Sequence, residues 1–314
     1  LQSPTSKKFV SNSDFRSTIL DRNGVILAKS VITRNIGINP AEIINKDKLI
    51  INLKLIFPEK NYKKILKKIN ANKFFYLEKQ VSQKKYEKLF LLGDKSIKEE
   101  QKITRIYPQR NLFSHIIGQI DDDNNGISGI EKSFDKELKS SRKPLVLSLD
   151  TNIQYLFRNE LILSQEIFQN IGSAGILMDI NNGEIISMIS LPDFDLNKRE
   201  RINDVKYINR ATKAVYELGS VFKTFTFAAG LNEKIIERDT PFKNLEKRIS
   251  CGGNLIGEYD EKIPTSLTAE EILIRSGNIG SVKIGQKIGI DKYKTFLGKL
   301  GLLSSIKFDI EEVG

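Results

Sequence analysis

The segment at residues 216–231, YELGSVFKTFTFAAGL, constrains the fold of this chain more than any other. After Gly219 it is apolar on almost every side, and a helix of that kind belongs in the interior of a domain. Two polar residues interrupt it near its start, Ser220 and Lys223. They are three residues apart, so they share one helical face with Cβ atoms about 5–6 Å apart. We therefore predict an interior helix that carries a hydroxyl and an amine at its beginning.

This pair of side chains suits nucleophilic catalysis. A serine hydroxyl is a weak nucleophile until a neighbouring base takes its proton. A lysine can act as that base only when its amine is neutral, and both burial and the positive end of a helix lower its pKa. The same helix end offers backbone N–H groups to a developing oxyanion. Ser220 is thus the predicted nucleophile and Lys223 its base. The alternative is a serine that caps a helix beside a lysine that extends into solvent.

A second pair of polar residues supports the catalytic interpretation. Ser-x-x-Lys occurs five times in the chain, but only at Ser220 does a glycine precede it and an apolar helix follow. Ser276 and Asn278, in Ser-Gly-Asn, form the only Ser-x-Asn of the chain. We predict a loop that points both side chains into a cleft, where Ser276 relays a proton and Asn278 binds a substrate amide. The alternative is an ordinary loop.

The remaining pattern indicates an α+β fold in two domains rather than alternating βαβ units. Hairpins are predicted where Asn-Gly pairs stand between apolar runs, and helices where the apolar period is 3.6. We predict hairpins at 17–29 and 174–189, short amphipathic helices over 58–102, a helix at 151–169 and mostly helical structure from about residue 205 onward. A polar stretch that contains a proline predicts a domain boundary near residues 140–144.

The net charge also differs between the front and back halves of the chain. Residues 1–150 hold 29 Lys and Arg against 17 Asp and Glu, whereas residues 151–314 hold 21 against 22. A basic front half can attract nucleic acid, anionic lipid or an anionic polymer, and it can equally be a surface of solvated lysines. A non-enzymatic adaptor that binds nucleic acid or membrane is therefore an alternative hypothesis. No groove-reading motif supports it, and no nucleic-acid partner is predicted.

The numbers of cysteines and histidines and the lengths of the apolar runs exclude some classes of protein. Cys251 is the only cysteine and His115 the only histidine, so no intrachain disulfide and no Cys/His metal site is possible, and we predict no cofactor. No run reaches the ~18 apolar residues of a membrane-spanning helix. A signal or membrane anchor would have to lie upstream of Leu1.

Ser-x-x-Lys followed by Ser-x-Asn resembles the start of the motif set of penicillin-recognising serine enzymes. Four further segments resemble signatures of the non-catalytic domain of class B penicillin-binding proteins: RSTILDRNG at 16–24, RIYP at 105–108, HIIG at 115–118 and GISGIE at 126–131. Three more are similar to parts of the transpeptidase domain. LSLD at 147–150 with Gln154 resembles its entry, DINNGEIISMISLP at 179–192 its first hairpin, and NRA at 209–211 the residues before the nucleophile segment.

The resemblance implies an elongated, non-catalytic pedestal over 1–142. It also implies a transpeptidase domain from 143 onward, in which helices flank an antiparallel sheet. Ser220, Lys223 and Ser276 would be catalytic, and Asn278 would bind the D-Ala-D-Ala end of a peptidoglycan stem peptide. β-Lactams would trap the serine as an acyl-enzyme. Family members are anchored in the bacterial inner membrane by one N-terminal helix and have their body in the periplasm. Since no apolar run here is long enough, we expect the anchor to be absent from this chain.

The run at 121–131 is most similar to the septal enzyme of cell division, which implies cell-division partners including a glycosyltransferase. The alternatives are the elongation enzyme and a penicillin-sensing or β-lactam-hydrolysing relative, against which the pedestal argues.

The chain departs from the family pattern in three places. Neither Lys-Thr-Gly nor Lys-Ser-Gly, the third motif, occurs in it. The simplest account is that the chain stops before that strand, so we expect this piece to be truncated and to acylate poorly. Arg110 stands where family members usually have glycine, and Leu218 stands where many of them have proline. Cys251 and His115 are expected to be structural, and Arg16, Asp21 and Glu131 are expected to link pedestal strands by charged hydrogen bonds.

Overall fold

The computed structural model describes residues 15–198, 205–306 and 308–310. Their contacts form two compact units. The first extends to Ala214 and includes Asp309 and Ile310, and the second is Val215–Phe308. The boundary predicted between residues 142 and 143 stays a prediction, because a division by packing does not test a division by sequence motif.

The first unit contains a five-stranded sheet built around one long strand. Strand β2 pairs antiparallel with β1, β3 and β4, and β1 pairs parallel with β5. The Asn23-Gly24 turn joins β1 to β2 as predicted, with Gly24 at φ 83°. The strands are β1 (Ile19–Leu20), β2 (Ile26–Ile38), β3 (Phe75–Glu78), β4 (Ile97–Ile106) and β5 (Leu145–Val146).

Three helices cover the far end of β2 and enclose a core of their own. The Asn45 and Asn61 side chains each accept a backbone N–H and so cap the first two of these helices. Buried aliphatic residues of the helices pack around Phe57. The helices are α1 (Lys46–Ile56), α2 (Tyr62–Asn70) and α3 (Gln83–Phe90).

A second core of this unit joins the base of the sheet to a hairpin further along the chain. Ile19 and Leu27 of the sheet belong to the same buried cluster as Met188 and Phe194. The hairpin and the helix before it match their predictions closely. Short helices α4 (Ser114–Ile117), α5 (Gly129–Ser133) and α6 (Asp135–Ser140) are followed by the long helix α7 (Thr151–Phe168) and the hairpin strands β6 (Ser173–Met178) and β7 (Ile185–Leu191).

The second unit places helices against two small two-stranded sheets. A 3₁₀ turn, Gly219–Phe222, leads directly into the first helix. The helices are α8 (Lys223–Asn232), α9 (Ala269–Ile274), α10 (Asn278–Ile288) and α11 (Ile290–Lys299), and the paired strands are β8 (Pro241–Phe242) with β11 (Leu267–Thr268) and β9 (Arg248–Cys251) with β10 (Asn254–Gly257). Cys251, half-buried on β9, is a free thiol.

Mixed helices and antiparallel strands confirm the predicted α+β class, with three local corrections. The stretch 58–102 is not all helical, because β3 and the first half of β4 lie in it. β4 pairs only with β2 among the described strands, and such an edge strand tolerates the Lys and Glu side chains that favoured a helix. The hairpin of β9 and β10 interrupts the region predicted to be mostly helical.

The third correction concerns α8, which is not buried on every side in the described structure. Phe227, Ala229 and Gly230 are buried, whereas Leu231 is 52% exposed and Val221, in the preceding turn, is 65% exposed. The core of this unit packs against one face of the helix only. The apolar pattern predicted the helix correctly but did not predict which of its faces this unit covers.

A buried ion network holds the base of the first unit together. Arg16 Nε donates to Glu131 Oε2 over 2.8 Å, and Arg105 Nε donates to Glu131 Oε1 over 2.7 Å. All three side chains are at most 2% exposed. A further hydrogen bond joins Arg16 to Asp135 at 2.7 Å. Glu131 on α5 therefore joins the segment before β1, through Arg16, to β4, through Arg105; the expected charged hydrogen bonds are present, but they connect strands through a helix and not directly.

Asp21 and His115 also have structural contacts, in keeping with the expectation for them. Asp21 accepts from the backbone of Asn23 and Val25 and from the Thr151 hydroxyl at 2.6 Å, so it closes the first turn and holds the start of α7. The buried His115 lies with Nε2 2.7 Å from the carbonyl oxygen of Lys206. Burial lowers the pKa of His115, which keeps the ring neutral at neutral pH.

Candidate active site

The turn that carries Ser220 depends on the glycine before it. Gly219 has φ 54°, a left-handed conformation that a residue with a side chain adopts only with strain. It starts the 3₁₀ turn, and the Lys223 N–H donates to the Ser220 carbonyl where that turn passes into α8. Ser220 is exposed, and no side-chain hydrogen bond caps the start of the 3₁₀ turn or of α8. It therefore does not cap the helix, which removes half of the alternative drawn from the sequence.

The Lys223 side chain turns toward the Ser276 loop instead of extending into solvent. Its Nζ lies 2.6 Å from the Ser276 carbonyl oxygen, 3.1 Å from the Ser276 hydroxyl and 2.6 Å from Asn278 Oδ1. An ammonium has three N–H donors, and here it meets three acceptors. None of those acceptors is a charged group. The structure thus brings Lys223 together with both polar side chains of the second predicted pair.

Two opposing effects act on the charge of Lys223. Burial lowers the pKa of its amine because an ammonium loses hydration there, and the negative charge of Glu258 raises it. Burial is the larger effect, so the pKa of Lys223 lies below that of a free lysine. A lysine shifted in this direction gives up its proton more readily, which a general base requires.

The loop that meets Lys223 lies between two helices, α9 and α10. A capping box of Thr268 and Glu271 starts α9. Ser276 follows that helix at φ 53°, and Asn278 is the first residue of α10. Both side chains are half-buried. A Cβ on Gly280 would lie 2.6 Å from a methyl of Ile272, so glycine there allows α10 to approach α9 closely.

Glu258 is a part of this site that the sequence patterns did not single out. Its carboxylate accepts from the backbone N–H of Asn278 at 2.7 Å and of Ile279 at 3.0 Å. The neighbouring Gly257 carbonyl accepts from Asn278 Nδ2 at 2.8 Å. An acidic residue 20 positions before a helix carries no local signal of this contact. Only the hairpin of β9 and β10 brings it to the start of α10.

The geometry suits acid–base chemistry at a serine. A neutral Lys223 amine would have two N–H donors and one lone pair, so it no longer needs all three acceptors of the loop. The Ser276 hydroxyl can then donate toward the lone pair, which makes a proton path between the two side chains.

In the described part of the chain no group of three His, Cys, Asp or Glu could hold a metal ion. Nor is any described helix long and apolar enough to cross a bilayer.

Two protein families match successive parts of the chain. Residues 13–153 match the penicillin-binding protein dimerisation domain, and residues 173–314 match the penicillin binding protein transpeptidase domain. The second match contains Ser220, Lys223, Ser276 and Asn278, whereas the first contains the buried ion network.

Curated relatives match over nearly all of this chain. A protein of Caulobacter vibrioides, named probable peptidoglycan D,D-transpeptidase FtsI, is 27% identical over 95% of this chain and 51% of its own length. Peptidoglycan D,D-transpeptidase FtsI of Buchnera aphidicola is 30% identical over 96% of this chain and 61% of its own. The Escherichia coli protein of the same name is 28% identical over 93% and 56%. The chain spans about half to three-fifths of the length of these relatives.

A solved structure shares the fold. The crystal structure of a peptidoglycan synthetase from Bifidobacterium adolescentis aligns with a TM-score of 0.62 and covers 92% of this chain and 62% of that chain. Its sequence identity of 18% supports likeness of fold alone.

Proposed function

Because the chain belongs to the class B penicillin-binding proteins, with a dimerisation domain followed by a transpeptidase domain, we propose that it cross-links peptidoglycan as a serine D,D-transpeptidase. Ser220 is the proposed nucleophile, Lys223 the base, Ser276 the proton relay and Asn278 a substrate-binding residue. The observation that carries this proposal is the set of contacts between the Lys223 amine and the Ser276 loop. Two further observations support it: the pKa of the Lys223 amine is lowered by burial, and Ser220, three residues before it, is exposed.

The proposed reaction has two halves, and its protons balance. In acylation the Ser220 hydroxyl gives its proton to Lys223 while its oxygen bonds to the carbonyl carbon of the penultimate D-Ala. The peptide C–N bond breaks, and the departing amine takes the proton through Ser276, so that terminal D-Ala leaves. In the second half an amine of a neighbouring stem attacks the ester, its surplus proton returns to Ser220, and the cross-link forms.

The substrate, inhibitors and cellular place follow from the family and are part of the proposal. We propose D-Ala-D-Ala stem peptides as substrate and β-lactams as inhibitors that acylate Ser220. We further propose a body in the periplasm, held at the bacterial inner membrane by an N-terminal anchor, and cell-division partners including a glycosyltransferase. The names of the relatives from Caulobacter, Buchnera and Escherichia favour the septal role. An elongation-type role is the alternative.

Labelling by a fluorescent penicillin tests the nucleophile. We expect the full-length protein to form a covalent adduct and the Ser220→Ala variant to form none. Ser82→Ala is a matched control, because Ser82 is also exposed and also has a lysine three residues on. It should label like the unaltered protein. A folded Ser220→Ala variant that still labels would refute the proposal.

The lifetime of the same adduct separates the transpeptidase from a β-lactam-hydrolysing relative. We expect the adduct to persist, as in an enzyme that penicillin inhibits. Rapid release of hydrolysed penicillin would instead favour a hydrolase, against which the dimerisation domain in this chain argues.

A further inference from the structure

The start of α10 lacks a cap of its own. Its N-cap residue is Gly277, which has no side chain that could accept the first backbone N–H groups of the helix. Such groups cost free energy when nothing satisfies them. Glu258 supplies what the loop lacks, because one carboxylate oxygen accepts from Asn278 and the other from Ile279. Hydrogen bonds from N–H groups to a carboxylate are short and strong, and the positive end of a helix favours the negative charge.

The same hairpin end also fixes the Asn278 side chain. Gly257 accepts from Nδ2, which leaves Oδ1 turned toward the Lys223 amine. Asn278 is thus held at its backbone by Glu258 and at its amide by Gly257. One consequence concerns distance: residues 257 and 258 set the position of an oxygen that contacts the proposed base. The other concerns charge, because Glu258 places a negative charge close to that base.

We infer that Glu258 is a positioning residue of this site, which holds the Ser276 loop against Lys223 and sets how readily Lys223 loses its proton. This inference rests on the proposed function. Other charged groups stand on the elements around Lys223: Arg248 on β9, Glu271 on α9, Arg275 beside the loop and Lys283 on α10. None of them is a cause of the lowered pKa of Lys223, whereas Glu258 opposes that lowering.

The acylation rate as a function of pH tests both consequences in the full-length protein. If Lys223 is the base, the rate rises with pH as its amine loses the proton, and the midpoint follows its pKa. Glu258→Gln removes the negative charge, so the ammonium is less stable and the midpoint moves to lower pH. We expect the plateau rate to fall roughly 10- to 100-fold. The Nε2 group of glutamine is a donor, so it cannot accept from an N–H group of α10, and the loop is displaced.

Two further variants separate three effects: the charge at residue 258, the length of its side chain and the stability of the protein. Glu258→Asp keeps the charge but is shorter, so we expect a wild-type midpoint with a reduced plateau. Glu271→Ala removes the acceptor that Glu271 gives to the capping box of the neighbouring helix α9 and controls for loss of stability alone. It should leave the midpoint unchanged even where its melting temperature falls as much as that of Glu258→Gln. If Glu258→Gln fails to fold, the Glu258→Asp profile still tests whether the carboxylate must extend as far as the backbone N–H groups of α10.

The outcomes distinguish this inference from the proposed function. A folded Glu258→Gln variant with an unmoved or raised midpoint, or a Glu258→Asp variant with the wild-type plateau, overturns the role of Glu258 while penicillin labelling of Ser220 stands. Absence of labelling in the unaltered protein overturns the proposed function itself.

Discussion

The buried network around Glu131 and the site around Lys223 hold charged side chains in opposite ways. At Glu131 the carboxylate lies between two guanidinium groups at 2.7 and 2.8 Å, and water reaches almost none of them. At Lys223 the amine meets a carbonyl, a hydroxyl and an amide oxygen, all neutral, in a half-buried place. The carboxylate of Glu258, whose charge acts on Lys223, bonds to backbone N–H groups and not to the amine.

The difference fits the structural contacts of Glu131 and the proposed role of Lys223 as a base. A buried ion remains charged when an opposite charge pairs with it directly, and removing either partner leaves an uncompensated charge in the interior. A base must instead exist in both protonation states. Neutral acceptors satisfy the ammonium without binding it as strongly as a carboxylate would, so the proton can leave. The network is thus suited to fix structure, and the site is suited to change its charge.

The strongest way to break the network is to remove its central carboxylate. We expect Glu131→Ala to lower the free energy of unfolding by about 3–5 kcal/mol, because Arg105 then stays buried without a counter-charge and Arg16 keeps only Asp135. Chemical denaturation of the purified protein measures this. The control is Arg22→Gln, which breaks an ion pair whose side chains are 38% and 42% exposed. That variant should lose less than about 1 kcal/mol. Equal losses in the two variants would contradict the assigned role of burial.

At the site, the sharpest change keeps the charge and removes the ability to lose it. Arginine stays protonated at every accessible pH, so Lys223→Arg preserves a cation but not a base. We expect penicillin acylation to slow about 10³-fold, equivalent to roughly 4 kcal/mol, as for Lys223→Met. Stopped-flow or gel-based labelling measures the rate. If Lys223→Arg acylates at close to the wild-type rate while Lys223→Met does not, the cation itself is what matters, and the contrast with Glu131 disappears.

The Ser276 hydroxyl is the neutral acceptor that could also move a proton. We expect Ser276→Ala to slow acylation about ten-fold, since the backbone carbonyl and Asn278 still hold the amine while a water can partly replace the relay. Ser281→Ala is the matched control. The Ser281 hydroxyl donates to the Gly277 carbonyl at 2.6 Å within the first turn of α10, so it supports the helix but does not contact Lys223. A larger effect at Ser281 than at Ser276 would mean that the loop geometry, and not the relay, limits the rate.

Much of this site could be predicted from the sequence because its signals are local. Ser220 and Lys223 are three apart in an apolar segment after a glycine, and Ser276 and Asn278 form a pair that occurs once. The hairpins at Asn23-Gly24 and Asn182-Gly183 were predictable for the same reason, since the turn residues and the alternating strands are adjacent. The resemblance to a family then placed both pairs in one cleft.

What could not be predicted depends on contacts between distant segments. Glu258 is one of many carboxylates in the chain, and only the packing of a hairpin against α10 gives it a role. The strand β3 and the charged half of β4 resemble helices, because Lys and Glu suit both a helix surface and an exposed sheet edge. The exposure of Leu231 and Val221 likewise depends on which elements cover α8, and a helical pattern does not carry that information.

The smallest effect that we expect tests the edge of the buried network. Burial alone would raise the pKa of Asp135, but hydrogen bonds from Lys139, Arg16 and the Gly126 N–H outweigh it and lower the pKa to about 2. A carboxylate whose pKa falls on folding stabilises the protein above its unfolded value of 3.8, and this stabilisation is lost as the pH falls through about 2. Because the side chain is 27% exposed, we expect Asp135→Asn to cost only about 1 kcal/mol at pH 7. The difference from the unaltered protein in denaturant midpoint should fade toward zero near pH 2. A cost as large as that of Glu131→Ala, or one that does not change with pH, would mean that bond count and not burial sets the strength of this network.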